Sequence, residues 1–156
     1  MGNCFTKKNN YPDFIDPKEI PKFYPNITEG KVINVYDGDT ITVATYIKQN
    51  KMKKSLYKFS IRLRGIDCPE IKTHDENEKI VAELAKKYVK ELCFNKVVVL
   101  HDIKYDKYGR ILANVIINNQ NISDLLLSKR LAVEYNGGKK FVPKNWVHYY
   151  ETGFMD

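Results

Sequence analysis

An α+β architecture, mainly β, is what this chain predicts: a five-stranded Greek-key barrel with a helix after strand three and a short second helix. Three observations predict it. Alternating apolar and polar runs rich in Val, Ile, Thr and Tyr recur between residues 31 and 117. One long segment of helical period interrupts them after the third run. The 156 residues suffice for one apolar core but not comfortably for two.

The elements follow in order. Pro12, Pro17, Pro21 and Pro25 are spread among aromatic and charged residues with no regular period. This reads as an extended leader, reaching at most ~3 Å per residue. The expected division is therefore a leader, 1–29, and a barrel domain, 30–156. Val32–Tyr36 and Ile41–Ile47 read as paired strands joined through Asp37-Gly38-Asp39-Thr40, where Asp-Gly favours a type I′ turn. Leu56–Ile66 is the third strand. Asp75–Cys93 is helical, with Ile80, Val81, Leu84, Ala85, Tyr88, Val89 and Leu92 as its apolar stripe. Lys96–Ile103 and Arg110–Ile117 are two further strands. Asn121–Arg130 is a short helix, with Asn121 as N-cap and Asp124 in its first turn. The order β-β-β-α-β-β-α is the OB-fold layout.

Lys plus Arg outnumber Asp plus Glu by 26 to 19, a net charge of +7 that attracts polyanions, nucleic acid or an anionic membrane surface. Cys4, Cys68 and Cys93 are odd in number and irregularly spaced, which argues against a disulfide framework or a cysteine zinc site. No apolar run reaches the ~18 residues of a membrane span, and there is no signal-peptide apolar region, so the expected location is the cytoplasmic side. The start, Met1-Gly2-Asn3-Cys4-Phe5-Thr6, fits the N-myristoylation pattern with Gly2 as acceptor. Cys4 lies close enough to be palmitoylated, and Lys7 and Lys8 add a small basic patch. A single acyl chain binds membranes only marginally, so both signals would be needed for peripheral attachment.

Three clusters carry chemistry. Asp37-Gly38-Asp39-Thr40 sets two carboxylates at a strand end, and hard cations such as calcium take several such oxygens. In Arg62-Leu63-Arg64-Gly65-Ile66-Asp67-Cys68-Pro69-Glu70, period two sets Arg62 and Arg64 on the face opposite Leu63. Asp67 and Glu70 follow where the strand yields to a loop, since proline cannot continue a central ladder. Tyr105-Asp106-Lys107-Tyr108-Gly109-Arg110 interleaves basic residues with tyrosines, a composition suited to phosphate contact and base stacking. Taken singly, each also reads as an ordinary turn or polar loop. His74, His101 and His148 lack ligand spacing.

D-G-D-T, then R-L-R-G-I-D-C-P-E, then D-K-Y-G-R, in this order, resembles the staphylococcal nuclease (thermonuclease) family over roughly Gly30 to Gly138. The resemblance implies a calcium-dependent nuclease that cuts DNA or RNA with little sequence preference, leaving a 3′-phosphate and a 5′-hydroxyl. It puts the calcium ligands at Asp39, Asp67 and the backbone carbonyl of Cys68, with Asp37 behind them. The general base falls on Glu70 and the two phosphate-clamping arginines on Arg62 and Arg110. Lys107 and Tyr108 match positions on the nucleotide's phosphate side, and Tyr135 loosely matches a tyrosine near the base. Arg130 stands where many relatives have glycine, and a positive φ there would cost arginine about 1 kcal/mol. The family's long C-terminal helix is shortened or absent after Trp146, and Asn136-Gly137-Gly138 reads as a tight loop.

Two other readings compete: a catalytically silent OB-fold module that binds nucleic acid without cutting it, and a membrane-tethered adaptor. Retention of Asp39, Arg62, Asp67, Glu70 and Arg110 together favours the enzyme. The chain is expected to act as a monomer on DNA or RNA.

Overall fold

The computed structural model describes residues 10–47, 55–106 and 109–155. Gly2 and Cys4, the acylation candidates, and Lys107 and Tyr108, the phosphate-side candidates, lie outside the described residues.

Strands β1 (Glu29–Val35), β2 (Thr40–Ile47) and β3 (Ser55–Leu63) form an antiparallel meander. Strands β5 (Val97–Tyr105) and β6 (Ile111–Ile117) pair antiparallel, and β5 also pairs with β1. A parallel pairing of β3 with β6, Ile61 to Ile111 through Leu63 to Ala113, joins the two ends into a closed five-stranded barrel. Closure removes the edge strands and turns alternate residues inward. Ile41, Val43, Ile61, Leu63, Val98, Ala113 and Val115 are buried on that inner side. The predicted OB-fold is thus the observed one.

The third strand stops earlier than its sequence pattern suggests. Gly65 has a φ of +85° and turns the chain after Leu63. Ile66–Asp67 then forms a separate short strand, β4, which pairs with β8 (Val133–Glu134). Arg64 therefore leaves the strand face it was expected to share with Arg62. Its guanidinium reaches the backbone carbonyl of Asp102 at 3.5 Å.

Helix α1 (Glu76–Cys93) begins at Asp75, whose carboxylate accepts from the amides of Asn77 and Glu78. Its buried face differs from the expected stripe. Val81, Ala82, Ala85, Val89 and Cys93 are buried, whereas Ile80 is 53% exposed and Leu84 38%. Small side chains let the helix lie close on the barrel, while Leu84 and Tyr88 line a surface cavity together with Tyr150. Helix α2 (Ile122–Ser128), capped by Asn121, follows the two-residue strand β7 (Gln120–Asn121).

A third helix, α3 (Trp146–Thr152), closes the described chain; of the two expectations for the C-terminal helix, shortened or absent, the structure has the short one. Trp146 is 3% exposed and anchors it, with Tyr149 edge-on at 5.9 Å. Arg130 does adopt a positive φ, +55°. Its guanidinium donates to the carbonyls of Glu151 at 2.9 Å and Tyr150 at 3.5 Å, capping the end of α3. Of the leader aromatics, Tyr24 packs against Tyr105 with centroids 4.2 Å apart and the rings tilted by 41°. Phe14 and Phe23 are 81% and 74% exposed.

Candidate active site

Three chain segments meet at one mouth of the barrel. The β1–β2 connection brings Asp37 and Asp39, the end of β3 brings Arg62, and β4 with the following loop brings Asp67, Cys68 and Glu70. Arg110, the residue just before β6, lines the same cavity of about 260 Å³.

Gly38 sets the first segment, and not for the reason a type I′ turn would give. It does not adopt the left-handed φ that such a turn requires. A Cβ at this position would instead lie 2.8 Å from Ala85 Cβ and 2.8 Å from Cys68 Sγ. Glycine is needed for close approach, which seats the connection directly on α1 and beside Cys68. Asp37 Oδ1 accepts from the amide of Asp39 at 3.1 Å and fixes the bend.

Arg62 holds the centre. Nη1 donates to Asp39 Oδ1 and Nη2 to Asp67 Oδ1, each at 2.7 Å. Both carboxylates are 5% exposed, so they are charges removed from water and balanced first by the guanidinium they share. Asp39 Oδ2 accepts from the amide of Cys68 at 3.1 Å, and Thr40 Oγ1 donates to Asp39 Oδ1 at 3.0 Å. Burial nevertheless raises the pKa of Asp39 to about 6, with Asp37 reinforcing the rise and Arg62 opposing it. Burial and the same carboxylates push the Cys68 thiol well up, so it is no nucleophile; its contribution is the backbone.

Glu70 is the exposed carboxylate of the group, 65% accessible. Its amide donates to Glu78 Oε1 at 3.0 Å, tying the loop to the first turn of α1. Arg110 is anchored by Asp106, whose two oxygens accept from its amide and from Nε at 2.8 and 2.6 Å. Tyr135 does not line this cavity; it lies on the adjoining loop, its amide donating to the carbonyl of Gly65.

Lys140 belongs to the site, and sequence reading missed it. Nζ lies 2.8 Å from Asp67 Oδ2 and 3.9 Å from Glu70 Oε1, with the Tyr135 ring 5.8 Å away. Burial pulls its pKa down, but Asp67 and Glu70 outweigh that and hold it above the usual value. Gly137 and Gly138, at φ +88° and +91°, shape the loop that delivers it. The expected tight loop was visible in Asn136-Gly137-Gly138; its target, 73 positions away in sequence from Lys140 to Asp67, was not.

Among the described residues, no three His, Cys, Asp or Glu side chains converge to hold a metal ion by themselves. Asp39 and Asp67 offer the carboxylate oxygens that a hard cation takes, but each of the four already faces a protein donor, Arg62, Thr40 and the Cys68 amide at Asp39 and Arg62 and Lys140 at Asp67, so an ion would have to displace some of them.

Fold and cavity together describe an OB-fold domain whose mouth sets arginines against buried carboxylates. Residues 60–151, more than half of the chain, match the family model described as staphylococcal nuclease homologue. The chain belongs to that family. It is 36% identical over 135 residues to an uncharacterized protein of Methanocaldococcus jannaschii, covering 72% of this chain and 56% of that protein. It is 32% identical over 105 residues to an uncharacterized endonuclease of Haemophilus influenzae, covering 67% and 51%, and 29% identical over 127 residues to endonuclease Htp3 of Saprolegnia parasitica, covering 73% and 60%. The chain spans less than two thirds of the length of each.

Proposed function

We propose that this chain is a calcium-dependent, sequence-nonspecific nuclease that hydrolyses phosphodiester bonds of DNA or RNA, leaving 3′-phosphate and 5′-hydroxyl ends. The observation that carries the reading is the Arg62 bridge between Asp39 and Asp67, in a cavity that Glu70 and Arg110 share.

Hydrolysis takes the phosphoryl group from one negative charge towards two. Planar guanidinium groups donate paired hydrogen bonds to its oxygens, and losing one such donor costs roughly 10²–10³ in rate. Arg62 and Arg110 fill that role. Glu70, with water access, accepts the proton of the attacking water, a contribution of about 10²–10⁴. Calcium, when held by Asp39, Asp67 and the Cys68 carbonyl with Asp37 behind them, would neutralise the phosphate and orient water. Lys107, Tyr108 and Tyr135 are the proposed contacts to the rest of the nucleotide. Acylation at Gly2 and Cys4, on the cytoplasmic side, would tether the domain through the 1–29 leader.

The test is degradation of single- and double-stranded DNA and of RNA by purified protein, with calcium or with chelator. Calcium-dependent products lost on Glu70→Gln support the nuclease. Tight binding without products under any metal leaves a binding module, and no affinity for nucleic acid leaves an adaptor.

A further inference from the structure

A second cavity, of about 270 Å³, opens beside the catalytic one. Tyr36, Asp37 and Glu70 line both, so the two are halves of one groove. The far half is walled by Lys72, from the loop before α1, and Lys86, from α1 itself. Neither lysine is in an ion pair among the described residues. Tyr36 is 54% exposed, its ring offered to solvent where the halves join.

Two ammonium groups without acidic partners, facing one concavity next to an exposed aromatic ring, match a nucleotide's chemistry. The ring suits a base, and the cations suit a phosphate. The acidic residues of the shared wall, Asp37 and Glu70, repel a phosphate from the junction and leave the lysine end as its place. We propose that Tyr36, Lys72 and Lys86 form a second nucleotide subsite, which takes the nucleotide one step further along the strand than the two that flank the scissile phosphate. The proposal rests on the reading of Arg62, Glu70 and Arg110 as the catalytic centre. It makes the preferred substrate a chain that extends past the cut on this side, which favours internal cleavage over trimming of the last residue.

The experiment uses the full chain and a fluorescein-labelled thymidine 12-mer, titrated with EDTA present across a range of KCl concentrations. Each lysine–phosphate contact in a single strand contributes about 0.7 to the log–log salt slope, so Lys72→Gln with Lys86→Gln should flatten it by about 1.4. Binding at moderate salt should weaken roughly tenfold, and Tyr36→Ala, which removes a stacking platform, should weaken it by a similar factor. With calcium, the lysine variant should raise KM for the 12-mer about tenfold, with a smaller rise on a dinucleotide too short to reach the lysines. Lys72→Arg with Lys86→Arg should restore the slope, which separates lost charge from misfolding. An unchanged slope and KM, with cutting still abolished by Glu70→Gln, would overturn the subsite and leave the catalytic reading intact. If the unmutated chain cuts no nucleic acid, the parent reading fails, and the subsite with it.

Discussion

Arg62 and Asp39, 23 residues apart, are held at 2.7 Å, and the second arm of the same guanidinium holds Asp67 at 2.7 Å. One side chain thus ties the β1–β2 connection to the segment after β3. Replacing it by glutamine leaves two buried carboxylates facing each other without their shared cation. Loss of one partner of a buried pair costs about 3–5 kcal/mol, so Arg62→Gln should lower stability by that order in chelator, and less in calcium. Arg62→Lys keeps a charge but loses the two-armed bridge and should fall between. Urea unfolding with and without calcium measures this, and a glutamine variant as stable as the parent in chelator would contradict it.

Lys140 sits on Asp67 Oδ2, the oxygen not taken by Arg62, where the proposed calcium ion would have to compete with it. Lys140→Met should raise calcium or terbium affinity about tenfold, because the ion no longer displaces an ammonium group. Without the ion the variant should lose about 1 kcal/mol, a modest amount because the lysine is 45% exposed. Calorimetric titration and melting in chelator test both signs. Weaker ion binding would show that Lys140 assists the cation instead of competing with it.

At Gly38, alanine would push its Cβ to 2.8 Å from Ala85 and from Cys68. Overpacking of this kind costs about 1–3 kcal/mol. Because the displaced connection carries Asp39, activity should fall along with stability. Adding Ala85→Gly should relieve part of the clash while weakening α1 by about 1 kcal/mol. The denaturation midpoints of the single and double variants check this.

Arg130 combines a strained backbone, φ +55°, with a guanidinium that caps α3. Alanine there keeps the strain and loses the cap; glycine loses the cap but relieves the strain, by about 1–2 kcal/mol. Arg130→Ala should therefore be less stable than Arg130→Gly by about that amount, and equal melting temperatures would refute the account.

Gly2→Ala should release the protein from membranes in eukaryotic cells and abolish incorporation of labelled myristate. An unmutated chain that takes up no label ends the acylation proposal.

The sequence alone determined the barrel, because each of its signals fits within a short window. Alternation in β2 and β6, the cap at Asn121 and the glycines of the 136–138 loop depend on neighbours a few positions away. The three motifs likewise named Asp39, Arg62, Asp67, Glu70 and Arg110 as a group; in the fold Asp39, Arg62, Glu70 and Arg110 line one cavity, and Arg62 ties Asp67 to it. Only the tertiary structure decided the rest. Gly38 reads as a turn former in sequence, yet its requirement is set by Ala85 on a helix 47 positions away. Ile80 and Leu84 have the right period for a core stripe, but packing against small side chains rotated α1 and left both partly exposed. Lys140 resembles any surface lysine until the loop folds back to Asp67, and the pairing of Lys72 with Lys86 exists only once α1 lies beside the barrel. Periodicity is a local property of a chain; which charges come to face each other depends on how distant segments pack, and no window of sequence contains that.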